Sequence, residues 1–111
     1  MTLTEFLLAR IAEDEALAQV ATPGHWERDS GWSITAPPPE DWAGPYVVVE
    51  TKQRNDAEFI ASHNPTRVLA ECEAKRRIVE GLGGLIAQRR VVRWLALPYA
   101  DHPDYRPEWK P

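Results

Sequence analysis

Residues 25–52 read HWERDSGWSITAPPPEDWAGPYVVVETK, and their pattern differs from that of the chain on either side. The runs HWERD, GWSIT and YVVVET are short, contain β-branched and aromatic residues, and are separated by turn residues, which predicts strands. Ser30-Gly31 is typical of a hairpin turn between the first two runs, and we expect Tyr46–Thr51 to be the most buried strand. This segment therefore predicts a small antiparallel sheet of two or three strands.

The segment before the sheet predicts a helix over residues 3–21. Apolar side chains recur there at helical spacing, at Leu3, Phe6, Leu7, Ile11, Leu17 and Val20. Thr2 and Glu5 form a capping-box pattern, in which each side chain satisfies a free amide of the first turn. Pro23 disfavours a helical conformation at the residue before it and, together with Gly24, ends the helix.

The segment after the sheet predicts two to three helices within residues 56–97. Their start signals are residues suited to a helix N-terminus, Asn55, Asp56, Asn64 and Pro65. A glycine-rich break at residues 81–84 separates the long helix from a last one, which Pro98 ends. With a docked tail of prolines and aromatic residues over residues 98–111, the sequence predicts a single α+β domain spanning residues 1–111.

Composition and charge restrict the classes of function. Cys72 is the one cysteine, so no intramolecular disulfide can form and nothing indicates an oxidising compartment. Residues 1–20 contain no basic leader, long apolar run or cleavage site, and we therefore expect a cytoplasmic protein that does not enter a membrane. Residues 1–55 carry four basic against nine acidic side chains, and residues 56–111 carry nine against eight. This balance argues against non-specific nucleic-acid binding by the whole chain but permits a local basic face in the second half.

The closing stretch LALPYADHPDYRPEWKP, residues 95–111, is either a reactive site or a strap that packs on a core. Asp101, His102 and Asp104 are the residues that could ligate an ion, although a carboxylate beside a histidine is more often part of a hydrogen-bonded turn. The aromatic side chains of this stretch gain free energy when they are buried, and its prolines reduce the entropy lost on docking. We therefore expect a strap, packed on its own core or on that of a neighbouring subunit.

Reactive groups elsewhere in the chain do not form a recognisable site. Cys72 falls within the apolar stripe of the long helix, where Glu71 and Glu73 would raise rather than lower the thiol pKa. No Cys-x-x-Cys, His-x-x-x-His or Gly-x-Ser-x-Gly pattern occurs, and GLGG at residues 81–84 lacks the lysine of a phosphate loop. The sequence accordingly assigns no catalytic residue, metal ligand or cofactor.

Two surfaces are candidates for binding. Large aromatic residues in turn-rich or terminal segments are typical of interface anchors, and they define a candidate partner surface of Trp32, Trp42, Tyr99, His102, Tyr105 and Trp109. Trp26 and Trp94, in contrast, are expected in the core. A candidate basic patch consists of residues on two sequential helices, which would contact phosphates if the two clusters converged: Lys75, Arg76, Arg77, Arg89, Arg90 and Arg93. The alternative, which we favour, is two solvated faces partly neutralised by neighbouring glutamates.

Three segments resemble known proteins: ATPGHW at residues 21–26, DAEFIASHNPTRVLAECEAKRRIV at residues 56–79, and the closing stretch. The first two are similar to segments of Ea22-like phage proteins, which carry a Thr-Pro-Gly-x-Trp turn and a Phe-Ile-Ala-x-x-Asn-Pro helix start. All three more closely resemble an uncharacterised family of short proteins from actinobacteria and their phages. This resemblance implies an origin and brings no activity with it.

These observations lead to three hypotheses about function, of which the least favoured is an enzyme or metal protein centred on Asp101, His102 and Asp104. The first is a phage or prophage-type accessory protein that binds a host or phage protein and has no catalytic activity; a homodimer is one arrangement that the sequence allows. The second is a nucleic-acid-associated regulator that uses the basic patch. None of the three involves a membrane.

Overall fold

The computed structural model describes the backbone of residues 1–82 and 86–111 and the side chains of residues 1–82 and 89–111. It confirms the predicted α+β class with an N-terminal helix, a small antiparallel sheet, further helices and an aromatic tail. The elements are α1 Leu3–Val20, β1 Glu27–Arg28, β2 Ser33–Ala36, β3 Tyr46–Glu50, α2 Arg54–Ser62, α3 Pro65–Gly81, α4 Ile86–Ala96, and 3₁₀ turns at Leu97–Tyr99 and Pro107–Trp109. The predicted break at Gly83 and Gly84 lies outside the described residues.

The chain packs as two compact units. The terminal unit combines Met1–Glu15 with Glu71–Pro111, and the sheet unit comprises Ala16–Ala70. The boundaries fall inside α1 and α3, so each of these helices contributes to both units. The prediction of a single domain over residues 1–111 stays a prediction.

The first half of α1 supplies the core of the terminal unit. The predicted capping box is present, since the Glu5 amide donates to Thr2 Oγ1 at 3.1 Å and the Thr2 amide donates to Glu5 Oε1 at 3.4 Å. Phe6 and Ile11 are fully buried. The stripe does not continue as predicted, because Leu17, in the part of α1 that belongs to the sheet unit, is 69% exposed.

The sheet of the sheet unit has the order β1-β2-β3 and is antiparallel throughout. The expectation that β3 is the most buried strand is wrong. The central strand β2 carries the buried side chains Ile34 and Ala36, whereas Val47 on β3 is exposed. A central strand is covered by neighbours on both sides, and an edge strand is not. Helix α2 lies against β1 and β2, and its Ala57 is fully buried.

Asp29 forms the turn of the predicted hairpin between β1 and β2. Its carboxylate accepts hydrogen bonds from the amides of Gly31 at 2.8 Å and Ser33 at 2.9 Å. Trp32 has φ 64°, in the left-handed region that a bulky residue rarely occupies. This turn therefore holds Trp32 in a fixed, exposed position.

One of the two predicted helix starts is confirmed. The Arg67 amide donates to Asn64 Oδ1 at 3.0 Å, so Asn64 caps α3 with Pro65 as the first helical residue. The prediction that Asn55 or Asp56 caps α2 is wrong, because α2 begins at Arg54 and both residues lie within its first turn. There Asp56 interacts favourably with the helix dipole.

Candidate functional site

The C-terminal tail packs on α1 of the same chain through a cluster of aromatic rings. The ring centroids of Trp109, His102 and Tyr105 lie 5.1, 5.5 and 5.9 Å from that of Phe6. Trp109 is only 8% exposed. Tilted and edge-to-face pairs at these distances add to the free energy of apolar burial. The tail is therefore a strap, and its aromatic residues complete the core of the terminal unit.

Several polar groups beneath this strap contact one another, although Arg10 Nε and the Tyr105 hydroxyl are buried without a hydrogen-bond partner among the described residues. Arg10, which is 8% exposed, contacts the imidazole of His102 through Nη1 and donates to Glu13 at 2.9 Å through Nη2. The Asp104 amide donates to Nδ1 of His102 at 3.0 Å, so this nitrogen acts as an acceptor within the tail. A guanidinium beside the imidazole also repels a metal cation. His102 thus serves as a structural hydrogen-bonding group.

Tyr99 is held in its protonated form. Burial first, and then the hydrogen bond that its hydroxyl donates to Asp14 Oδ2 at 2.5 Å, raise the pKa of the Tyr99 phenol above its ordinary value. Lys75 Nζ lies 5.9 Å from the centre of the same ring. A phenol in this environment ties the first turn of the tail to α1 and is unsuited to act as a base or nucleophile.

The environment of Cys72 likewise disfavours the deprotonated form of its side chain. Its side chain is 2% exposed, and burial is the largest cause that raises the pKa of its thiol, followed by the charges of Asp14 and Glu15. The predicted direction is confirmed, but the acids responsible lie on α1 and are not the sequence neighbours Glu71 and Glu73. Because the thiolate is the nucleophilic form, this environment disfavours covalent catalysis.

Metal ligands do not converge within the described residues. No group of three or more His, Cys, Asp or Glu side chains in residues 1–82 and 89–111 is arranged to hold an ion. Asp101, His102 and Asp104, the candidates from the sequence, share a turn in which the imidazole faces Arg10. The chemistry of this turn is that of hydrogen bonding within the strap.

Two of the three cations in the α3 part of the candidate basic patch form ion pairs with acidic neighbours. Arg76 forms an ion pair with Glu15 on α1, and Arg77 Nε lies 2.7 Å from Glu73 Oε1 one turn earlier. The hydrogen bond with Arg76 lowers the pKa of the Glu15 carboxyl. Arg76 and Arg77 are therefore engaged within the protein; the partner of Arg77 is one of the neighbouring glutamates considered from the sequence, whereas that of Arg76 lies on α1.

The α4 part of the patch is different. Arg89, Arg90, Arg93 and Trp94 lie close together on the helix surface, and together with Pro111 they line an open depression of about 430 Å³. Arg89 and Arg93 also line an adjoining depression of about 550 Å³ with the start of α1. None of the three arginines has an ion pair with another described residue. We call these four residues the arginine–tryptophan surface.

The sheet unit presents a second ordered feature, the acidic loop of residues 37–45. The Trp42 amide donates to Pro39 O at 3.0 Å and the Trp42 indole donates to Pro45 O at 3.2 Å. The Trp42 ring packs edge-on against Tyr46 at 5.3 Å, yet the side chain is 53% exposed. Glu40 and Asp41 are exposed at the tip. The loop therefore displays two carboxylates and an indole on a fixed backbone.

A family model matches the whole chain, residues 1–111; it is the family of unknown function DUF6221. The chain belongs to this family. Curated proteins and solved structures gave no match. Membership of DUF6221 brings no activity, so function must be inferred from the site itself. Among the helices of the described residues, none has both the length and the apolar character needed to cross a bilayer.

The residues of the predicted partner surface belong to both units. Trp32 and Trp42 are exposed on the sheet unit, whereas the other four belong to the strap of the terminal unit: Tyr99, His102, Tyr105 and Trp109. The basic patch also divides: Arg76 and Arg77 on α3 form ion pairs, whereas the three arginines on α4 form none with another described residue.

The sequence interpretation missed Trp94, which was expected in the core but is 52% exposed. Val92 and Ala96, two positions away on either side, are buried. At about 100° per residue, two positions turn a side chain to roughly the opposite face of a helix. This spacing was visible in the sequence and could have identified Trp94 as a surface residue. Trp26, the other expected core residue, is half-buried.

Proposed function

We propose that this member of DUF6221 is a cytoplasmic accessory protein of phage or prophage type that acts by binding another protein and has no catalytic activity. The observation that carries the proposal is the arginine–tryptophan surface. It places a half-exposed indole among three guanidinium groups that have no acidic partner in the part of the chain that the structure describes.

Tryptophan and arginine suit this role for physical reasons. They are the residues most enriched among those that dominate binding energy at interfaces, because a large flat side chain is desolvated together with specific hydrogen bonds. An unpaired arginine also retains its full capacity to bind a carboxylate through two parallel hydrogen bonds. The depression beside Trp94, and the adjoining one that Arg89 and Arg93 line with the start of α1, supply concave surface for a protruding side chain of a partner.

The environments of the reactive side chains favour binding over catalysis. The Cys72 thiol and the Tyr99 phenol have raised pKa values, and His102 is engaged by Arg10 and by its own turn. A catalytic site needs a positioned base or nucleophile that is open to a substrate. The groups best suited to that task are here committed to docking the tail.

The phage or actinobacterial origin is supported by the resemblance of residues 21–26, residues 56–79 and the tail to proteins of that source. Two of these segments have clear structural roles: Asn64-Pro65 starts α3, and the tail packs on Phe6. The similarity to Ea22-like phage proteins extends to the first two segments and forms part of the same proposal.

A nucleic-acid-associated regulator is the second candidate function. The favouring observation is the unpaired state of Arg89, Arg90 and Arg93 among the described residues, next to an aromatic side chain on which a base could stack. The formal net charge of −4 and the neutralised arginines of α3 weigh against it. The patch offers three cations, fewer than the six to ten or so phosphate contacts of a strongly salt-dependent site.

The test is affinity capture from host lysate with immobilised wild-type protein, Trp94→Ala and Leu17→Ala. Leu17 is an exposed apolar residue on a different helix and provides the matched control. The proposal predicts a stoichiometric protein partner that wild type and Leu17→Ala retain and that Trp94→Ala loses. Capture that is identical for all three proteins from lysate supplemented with untagged wild-type chain, or recovery of nucleic acid alone, would contradict it.

A further inference from the structure

We propose that the partner of the arginine–tryptophan surface is the acidic loop of a second copy of this chain. The inference rests on the proposed function, because it uses the same surface, and it adds the identity of what binds there. In this contact Glu40 and Asp41 of one copy lie against the arginines of α4 of the other, and the Trp42 indole occupies the depression beside Trp94.

The arginine side of the contact carries charge that the described residues do not compensate. Other basic side chains of the second half of the chain have an acidic or aromatic neighbour: Arg76 and Arg77 form ion pairs, and Lys75 and Arg106 lie near aromatic rings. Arg89 and Arg93 are four residues apart, so their guanidinium groups share one helix face with each other. A carboxylate brought to this face forms charge-assisted hydrogen bonds without displacing an existing ion pair.

The acidic side of the contact is equally unpaired. Among the described residues, Glu40 and Asp41 form no ion pair, and both lie on the exposed tip of the acidic loop. The segment also lacks any lysine or arginine between Arg28 and Lys52. Its carboxylates therefore have no nearby cation in sequence to compete with an incoming guanidinium.

The loop is organised before it binds. Prolines at residues 37–39 and 45 limit its freedom, Gly44 takes a φ of 89° that only glycine adopts readily, and two hydrogen bonds hold Trp42 in place. A preorganised loop loses little conformational entropy on docking, which favours affinity from a small contact. The exposed half of the indole is then free to provide the apolar part of the contact.

Size and chemistry match on both sides. A tryptophan buries about 150–250 Å² when it is covered, and the depression beside Trp94 has a volume of about 430 Å³, enough for an indole and its neighbours. Residues that dominate binding on one partner tend to meet such residues on the other. Because every copy carries both the loop and the α4 surface, two copies can exchange two such contacts, or successive copies can form a chain.

Charge reversal provides the test. One variant carries Arg89→Glu and Arg93→Glu, which makes the α4 surface acidic. The other carries Glu40→Arg and Asp41→Arg, which makes the loop basic. In each variant alone, the loop and the α4 surface carry charges of the same sign. In an equimolar mixture, every contact between the two different variants brings a loop against an α4 surface of opposite charge. Masses are measured by light scattering over a range of protein concentrations.

The proposal predicts that wild type has a mass of at least twice 12.6 kDa at high concentration. Each charge-reversed variant should stay at the mass of one chain, with association weakened by roughly a hundredfold or more for two lost charge pairs. The mixture should restore the wild-type mass, which also shows that both variants are folded. Leu17→Ala serves as the control and should behave as wild type.

Three results would overturn the inference. The first is wild-type protein that stays at 12.6 kDa at all concentrations. The second is association that the reversals leave unchanged or that the mixture does not restore. The third is a monomer that binds a single-stranded DNA oligonucleotide through Arg89 and Arg93, which favours the nucleic-acid regulator. If wild type stays monomeric but still captures a host protein through Trp94, the proposed function stands without this inference; if it captures nothing, both fail.

Discussion

Replacing Trp109 with alanine should destabilise the terminal unit by about 3 kcal/mol. Trp109 is 8% exposed and packs on both Phe6 and Tyr105, with ring centroids 5.1 and 5.7 Å away. Burial of about 150–250 Å² at about 25 cal/mol per Å² gives an upper value of about 4–6 kcal/mol. Large-to-alanine replacements of buried aromatic residues cost about 3–5 kcal/mol, and a site near a chain end relaxes more easily than one in mid-chain.

The assay is urea unfolding followed by the circular dichroism of the helices, because fluorescence would change with the loss of an indole. A loss of about 3 kcal/mol raises the unfolded fraction by about a hundredfold and lowers the melting temperature by about 12 °C, at about 4 °C per kcal/mol for a domain near this size. Trp94→Ala, measured at a concentration low enough to avoid association, is the matched control and should cost less than about 0.5 kcal/mol. An equal cost for the two variants, or none for Trp109→Ala, would refute the packing role of the tail.

Three further outcomes follow from the described contacts. Because the pKa of Tyr99 is raised in the folded protein, the unfolded chain releases the phenol proton at a lower pH than the folded chain does. The free energy of unfolding should therefore fall as the pH rises above about 10. In alkaline unfolding titrations, Tyr99→Phe should show a smaller fall. The Cys72 thiol, buried and with a raised pKa, should react with a water-soluble disulfide reagent only as fast as the protein opens, so that a fast reaction in the absence of denaturant would be inconsistent with its burial. Asn64→Ala removes the cap of α3 and the bond that Asn64 Nδ2 donates to Ala61 O, and should cost about 1 kcal/mol or more in urea unfolding. Asn64→Ser keeps a capping oxygen without burying a charge and should cost less; equal losses would show that the cap is not the cause.

Local patterns in the sequence were sufficient for two helix starts and one hairpin turn. The capping box at Thr2 and Glu5 and the Asn64-Pro65 start involve residues within a turn of each other, and both are present as predicted. The hairpin turn at Ser30-Gly31 was equally local. Such features depend on backbone amides and side chains that are close in sequence, so no knowledge of the tertiary structure is needed to identify them.

Burial and pairing across the chain were harder to predict. The central strand β2 carries the fully buried Ile34 and is more buried than β3. Burial depends here on the order of the strands, which is a tertiary property. The ion pair of Arg76 joins it to Glu15, sixty-one positions away in sequence, and no local pattern indicates such a partner. The acids that act on Cys72 are distant for the same reason.

The tail illustrates both situations. Its prolines and aromatic residues correctly indicated a packing segment, and Phe6 is the residue that receives it. The same aromatic character was also taken as a mark of a partner surface, which suits exposed Trp42 but not buried Trp109. Composition identifies side chains that gain from burial, while only the fold decides whether the chain itself or a partner covers them.

The central claim is that recognition uses exposed aromatic residues while the tail stays packed on its own core. The NMR signals of the indole N–H groups of the five tryptophans test this claim most directly. Spectra of ¹⁵N-labelled protein would be recorded across a concentration series and, in parallel, with the captured partner, with assignments from single Trp→Phe variants. The account predicts that the Trp94 signal shifts on association and that the Trp109 signal, whose ring lines only the adjoining depression, shifts less. A Trp109 signal that shifts while that of Trp94 stays fixed would contradict it.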